Sequence, residues 1–389
     1  MRAGLFLLSL AYVLSQFYRA FLAVMTDVLG ADLGAAPDDL AMASGLWFLS
    51  FAAMQIPVGW ALDTLGPRRT ASWLLLFGGA GGAFVFAMAS TPLHLNIAML
   101  LIGVGCAPVL MASFFVFARV YSAAMFATLA SVMIGVGSLG NLAGSVPLAL
   151  AVDAFGWRET VMVLAVITGL IAIGLFFAIK DPERVESDAG GSVLTLLKMP
   201  ALWLIIPLMF VAYAPTGAIR GLWIGPYVTE VFGGNAGTAS LIMASAMIAG
   251  TLCYGPLDRL LGTRKWAIFG GNSFGALTCL ALGLGLASGY WEAVLLFSLV
   301  GFFGMSFPLM MAHGRAFVPA HLAGRGVTLM NLFGIGGVGL VQMISGRMHA
   351  SLSTDTLSPA DPYHAIFLLY GGLLVFGLAI YAFCEDRLD

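Results

Sequence analysis

Charge is what this sequence lacks most. Only 9% of its 389 residues are Asp, Glu, Lys or Arg, against about 25% in an ordinary soluble domain. With 60% hydrophobic residues and a mean hydropathy of +0.99, no water-soluble fold of this length can hide its apolar surface. The net charge of −2 offers no basic surface for nucleic acid. Cysteine is scarce too: Cys106, Cys253, Cys279 and Cys384 stand far apart in or at apolar segments. Their spacing matches neither a zinc site nor a disulfide framework, so they read as small buried residues. A nucleotide-binding loop is missing, which removes the basis for ATP-driven pumping, and no histidine stands beside acids or a serine in a hydrolase pattern. No cofactor is implied. The first apolar run lacks a small-residue cleavage site and reads as a retained helix.

What the chain has in abundance is long apolar helix. A bilayer core needs about 20 apolar residues. Twelve segments qualify: 5–29, 39–62, 71–90, 94–118, 124–150, 160–179, 201–231, 237–257, 266–287, 291–314, 326–347 and 363–384. The expected class is an all-α membrane protein. The charged stretch "KDPERVESDAGG" from Lys180 divides the chain nearly in half. The expected organisation is a six-helix bundle over 1–180, a cytoplasmic linker over 181–200 and a second six-helix bundle over 201–389. With the N-terminus inside, thirteen of the seventeen Lys and Arg residues fall on the cytoplasmic side, while Arg158 and Arg347 fall outside. That bias predicts both termini in the cytoplasm. Arg19 and Arg220 are left over, inside apolar segments.

The halves repeat. "YVLSQFYR" (Tyr12–Arg19) aligns with "YAPTGAIR" (Tyr213–Arg220), and "TDVLGADLG" (Thr26–Gly34) with "TEVFGGNAG" (Thr229–Gly237). "GWALDTLGPRR" (Gly59–Arg69) is echoed by "GPLDRLLGTRK" (Gly255–Lys265), and "GVGSLG" (Gly135–Gly140) by "GIGGVG" (Gly334–Gly339). Four matches in order, at offsets of 196 to 203 residues, predict two homologous bundles.

"GWALDTLGPRR" resembles the loop motif G-x-x-x-D-x-x-G-x-R-[RK] of the major facilitator superfamily, with Gly59, Asp63, Gly66, Arg68 and Arg69 in its positions. Gly255, Asp258, Gly262 and Arg264 form a degenerate second copy. The resemblance implies twelve helices in two pseudo-symmetric halves, a secondary transporter rather than an enzyme, a small-molecule substrate, and a gating role for the loop charges. A bacterial inner-membrane location, a coupling proton and a monomeric state are expected. Met99 stands where proton-coupled relatives often carry arginine, and "GVGSLGNLAGSVP" misses the antiporter motif of segment five, so a drug/proton antiporter is disfavoured. "LSQFYRAFLAV" and "RGLWIGPYV" resemble a subgroup that includes importers of copper and of riboflavin.

An arginine at a helix centre costs about 2.5–3.5 kcal/mol on insertion scales. In the superfamily, segments one and seven face a central cavity. Helical spacing sets Tyr12, Ser15 and Arg19 on one stripe, and Tyr213, Thr216, Arg220, Trp223 and Tyr227 on the other. Pro215 is expected to kink segment seven. Arg19 and Arg220, with Tyr12, Tyr213, Trp223, Tyr227 and Asn331, are therefore candidates to bind an anionic solute; pairing inside the bundle is the competing use. Asp27 and Glu230 are candidates for carrying a coupling proton, or ordinary rim acids. Met243 and Met247 form M-x-x-x-M, a weak copper candidate without the H-x-x-x-M expected beside it. A flat aromatic such as riboflavin is an alternative solute. A non-transporting sensor, which would be expected to carry an extra domain, is the alternative of another class.

Overall fold

The computed structural model describes residues 2–121, 123–181, 196–319, 322–353 and 357–388, and these contain helices and no strand. The chain divides into two compact units, Met1–Glu186 and Ser187–Asp389. Most of the linker expected at 181–200 lies outside the described residues. Among the described residues nine helices are long and apolar enough to cross a membrane, or eleven if each of two bent pairs is one span. Among the described residues segment one supplies a shorter apolar helix, Ala3–Phe17, and with it the helices are consistent with the twelve expected segments.

In the first unit, α1 (Arg2–Phe17) gives way to a 3₁₀ turn (Phe21–Val24) and then α2 (Thr26–Leu33). The apolar run 5–29 predicts one helix, and this break corrects that expectation. No Gly or Pro lies between Phe17 and Met25, so nothing local dictates the change. Tyr18 is fully buried, with its hydroxyl 2.9 Å from Thr168 Oγ1. The backbone tightens to i−3 bonds, Ala20 to Phe17 and Met25 to Leu22. Next come α3 (Pro37–Ala53) and α4 (Gln55–Thr64), bent by 41° at Met54. α5 (Pro67–Leu74) runs through a π turn (Leu75–Ala80) into α6 (Gly81–Ala87). α7 (Pro92–Val120), α8 (Ala123–Ala143), α9 (Val146–Phe155) and α10 (Trp157–Ala178) complete the unit. α8 and α9 meet at 42°. Both bends stand three residues before a proline, Pro57 and Pro147, where the ring removes one ladder donor and crowds the preceding turn.

The second unit repeats the plan. α11 (Pro200–Ala212) breaks at Tyr213, two residues ahead of Pro215, and α12 (Ala214–Ala218) follows. A π turn (Ile219–Trp223) then leads into α13 (Ile224–Phe232). α14 (Ala236–Leu261), α15 (Lys265–Gly283) and α16 (Tyr290–Phe303) lead through a short 3₁₀ turn to α17 (Phe307–Arg315), α18 (Ala323–Leu352) and α19 (Asp361–Tyr381).

Small residues set how closely helices approach in each unit. A Cβ on Gly140 would strike the Val13 carbonyl, and one on Gly337 the Phe210 carbonyl. The two glycines are 197 residues apart, and so are the two carbonyls they face. Helix ends agree with that register: Gly34 and Gly233 close α2 and α13 in left-handed conformation (φ 63° and 60°), 199 residues apart. The sequence alignment of segments one and seven at 201 to 203 is therefore about one turn too long. A slip of four residues in a 3.6-residue helix leaves every side chain on nearly the same face, so periodicity is blind to it. Arg19 corresponds to the turn Thr216–Ala218, and Arg220 lies one turn beyond it.

Candidate functional site

In the first unit Arg19 sits in the break after α1, 9% exposed. Its guanidinium carbon lies 5.0 Å from the Trp47 ring centroid and 4.8 Å from that of Phe51. Those rings stack on each other one helical turn apart on α3. Among the described residues Arg19 has no carboxylate partner, and its Nε has no hydrogen-bond acceptor. Tyr12 is buried against Gly137 and accepts a bond from Gln16 Nε2 at 2.7 Å. Asp27 is exposed in the first turn of α2, beside Thr26.

In the second unit Arg220 is 2% exposed and sits on the π turn. The extra residue of that turn rotates the remainder of the helix, so the stripe expected over Tyr213–Tyr227 is not one straight face. Thr216 donates to the Val300 carbonyl at 2.9 Å. Tyr213 packs beside Phe307. Trp223 donates to Ser345 Oγ at 2.9 Å and stacks on His349. Tyr227 is ringed by Phe232, Phe297, Tyr363 and Phe367. Asn331 is half-buried on α18. Glu230 accepts a 2.6 Å bond from Tyr363, so it is held differently from Asp27. Met243 and Met247 both pack at Gly301, filling a contact between α14 and α16.

The two loop motifs are built differently. Asp63 is exposed and has no ion pair among the described residues. Arg68 instead meets Asp181, loosely at 3.5 Å through Nε, while its backbone N–H donates to the same carboxylate at 2.9 Å. A side chain on Gly66 (φ 86°) would collide with Asp181, so this position needs glycine twice over. Arg69 is exposed. In the degenerate copy Asp258 takes two bonds from Arg264, at 3.1 and 3.2 Å, with both side chains about one-eighth exposed. Gly262 closes α14 in left-handed conformation. Gly59 and Gly255, by contrast, meet nothing within 4 Å of an added Cβ; their own units give no packing reason for them.

The profile of the Major Facilitator Superfamily matches residues 8–233, more than half of the chain. The chain belongs to the Major Facilitator Superfamily. Its fold is shared by solved structures of low identity. A bacterial homologue of the human lysosomal transporter Spinster, inward-facing and occupied, superimposes with a TM-score of 0.79 at 17% identity, covering 98% of this chain and 96% of that one. A D-xylose–proton symporter gives 0.78 at 14%, covering 98% of each. A nucleoside transporter gives 0.75 at 14%, covering 98% and 100%. No curated protein matches the sequence. Membership in the Major Facilitator Superfamily makes the chain a multi-pass membrane transporter of small molecules.

Two residues of this Major Facilitator Superfamily chain carry roles that no sequence motif announces. Asp181 follows α10, the last helix of its unit, and accepts from the first turn of α5. Asp386 follows α19, the last helix of the other unit. It accepts from the Arg264 and Lys265 amides at 3.1 and 2.9 Å and from the Thr263 hydroxyl. Each carboxylate satisfies orphan amides at the start of its unit's third span and complements that helix dipole. The signal was present in "KD" and "ED" just past two apolar runs, but it names no partner. Burial pushes the Asp386 carboxyl up; the bonds from Thr263 and from the Lys265 and Arg264 amides outweigh that and hold it below its ordinary value. Such a carboxylate adds stability above its unfolded titration and loses it as pH falls through the folded one. Asp386→Ala and Asp181→Ala are each expected to cost about 0.5–2 kcal/mol, read as a lower melting temperature in detergent at neutral pH.

Proposed function

We propose that this protein is a secondary active transporter of a small organic anion, acting by alternating access in the bacterial inner membrane and coupled to protons. Arg19 carries the reading. It is a nine-tenths-buried cation, backed by two aromatic faces and lacking a carboxylate among the described residues. A cation–π contact contributes roughly 0.5–2 kcal/mol, less than the roughly 2.5–3.5 kcal/mol of placing arginine in a membrane helix. An anionic solute group makes up the difference and accepts bidentate bonds from the fork. Arg220, more deeply buried on its π turn, is the second cation of this reading, although it is not the repeat equivalent of Arg19. Glu230, tied to Tyr363, is the stronger of the two proton-coupling candidates. A D-xylose–proton symporter among the structures of like fold supports the coupling to protons.

The test is thermal stabilisation of purified protein by a panel of organic anions, flavins and Cu(I). An organic anion is expected to raise the melting temperature of the wild type. Arg19→Ala and Arg220→Ala are each expected to abolish that shift. If both variants keep it, the arginines belong to the scaffold. If only a flavin or Cu(I) stabilises, the solute class is wrong while the transporter remains.

A further inference from the structure

The first unit carries a groove unrelated to Arg19. It runs between the span α5–α6 and α10, has a volume of about 220 Å³, and is almost wholly apolar. Trp73, Leu76, Ile173, Phe176 and Phe177 line it, with Ser72 as the polar exception. Trp73 and Ile173 are each 47% exposed and Phe177 is 80% exposed. Among the described residues, no part of this unit covers the groove.

One end of the groove is cationic. Arg69 precedes Trp73 by four residues, one turn on the same face of α5, and Lys180 lies just past the end of α10, next to Asp181, whose carboxylate meets Arg68. Arg69 and Lys180 are exposed. Arg68 lies over the Phe176 ring at 5.1 Å, at the mouth itself. Among the described residues the Asp181 carboxylate meets Arg68 alone of these three cations, at 3.5 Å from its guanidinium Nε and 2.9 Å from its backbone nitrogen. One donor at this end is unspent. Ser72 Oγ, in a residue 3% exposed, has no hydrogen-bond partner among the described residues, while Arg68 Nε makes only its loose 3.5 Å ion contact to Asp181. A helix serine usually bonds the carbonyl four residues back. Here it is left for something else.

We propose that this groove is a binding site for an anionic phospholipid. One acyl chain lies along Leu76, Ile173 and Phe177. The ester region sits at Ser72, which donates to an ester carbonyl. The phosphate meets Arg69 and Lys180, with Arg68 behind it. The order from apolar floor through a single hydroxyl to clustered cations matches the order of a lipid from tail through glycerol to phosphate. Basic pockets between membrane helices select anionic headgroups by this charge complementarity. A zwitterionic lipid fills the same groove but gains less from the cations. The proposal stands apart from the transported solute and does not depend on its identity.

Native mass spectrometry of the purified full-length protein tests this, with phosphatidylglycerol and phosphatidylcholine of identical acyl chains. Wild type is expected to retain phosphatidylglycerol roughly tenfold better than phosphatidylcholine. The double variant Arg69→Gln, Lys180→Gln is expected to bring the two lipids within about twofold of each other. Ile173→Trp, which fills the groove from an exposed position, is expected to lose retention of both. Equal retention by wild type overturns the site, and so does a double variant that keeps the preference. Undiminished phosphatidylglycerol binding in Ile173→Trp places the lipid elsewhere and also overturns it. Inorganic phosphate that stabilises as well as phosphatidylglycerol would reduce the cluster to a simple anion site.

Discussion

Gly337→Ala and Gly140→Ala are each expected to lower the melting temperature sharply, and leucine at either position to leave no folded protein to purify. At both positions the atom in the way is a backbone carbonyl, of Phe210 or of Val13. A crowded side chain can swing aside, and overpacking then costs about 1–3 kcal/mol. A carbonyl within a helix moves only if the helix moves, so the expected loss lies above that range. Native stability of about 5–15 kcal/mol leaves little room for it. Gly135→Ala is the matched control, because nothing lies within 4 Å of its added Cβ; alanine there is expected to be neutral or slightly stabilising. Size-exclusion profiles and thermal melts in one detergent decide the matter. A Gly337→Ala melt indistinguishable from wild type would refute the close helix approach itself.

The second large effect separates the two loop motifs. Asp258→Asn leaves Arg264 nearly buried without its counter-charge, a change that costs about 3–5 kcal/mol. Removing both charges, as Asp258→Asn with Arg264→Gln, is expected to recover most of that loss, since the two residues are coupled. Asp63→Asn alters an exposed carboxylate with no ion pair among the described residues. Its expected effect on stability is within about 0.5 kcal/mol. Its effect belongs in transport, where a gating charge acts. Melting temperatures of the four proteins, wild type included, test the contrast. Equal destabilisation by the two Asp→Asn changes would mean that the intact and degenerate motifs are held alike.

Much of the fold was legible because membrane helices declare themselves by length and apolarity. The bends at Met54 and Gly144 were foreshadowed by Pro57 and Pro147. The break in segment one was not, because no Gly or Pro marks it; Tyr18, buried at the break, meets Thr168 from a helix 150 residues away. The repeat was legible, but its register was not. "YVLSQFYR" and "YAPTGAIR" match by chance one turn out of step, and the glycine–carbonyl contacts and the helix ends at Gly34 and Gly233 expose the slip. For the site, sequence found the two buried arginines but missed their surroundings. Trp47 and Phe51 stack beneath Arg19, and a π turn carries Arg220; neither can be deduced from residue spacing alone. The partner of Arg68 was missed for a related reason. The motif sets Asp63 and Arg68 five residues apart, yet the contact of Arg68 goes to Asp181, 113 residues away.

The same kind of long closure ends the chain. Residues 386–389 look like an expendable tail, the sort of stretch trimmed or replaced by an affinity tag. Yet the side chain of Asp386 fastens the opening turn of a helix more than 120 residues earlier, and the Arg387 amide approaches the fully buried His313 at 3.4 Å. A trim at Glu385 would therefore loosen the opening turn of that helix, at a place where no alteration to a core helix would be suspected.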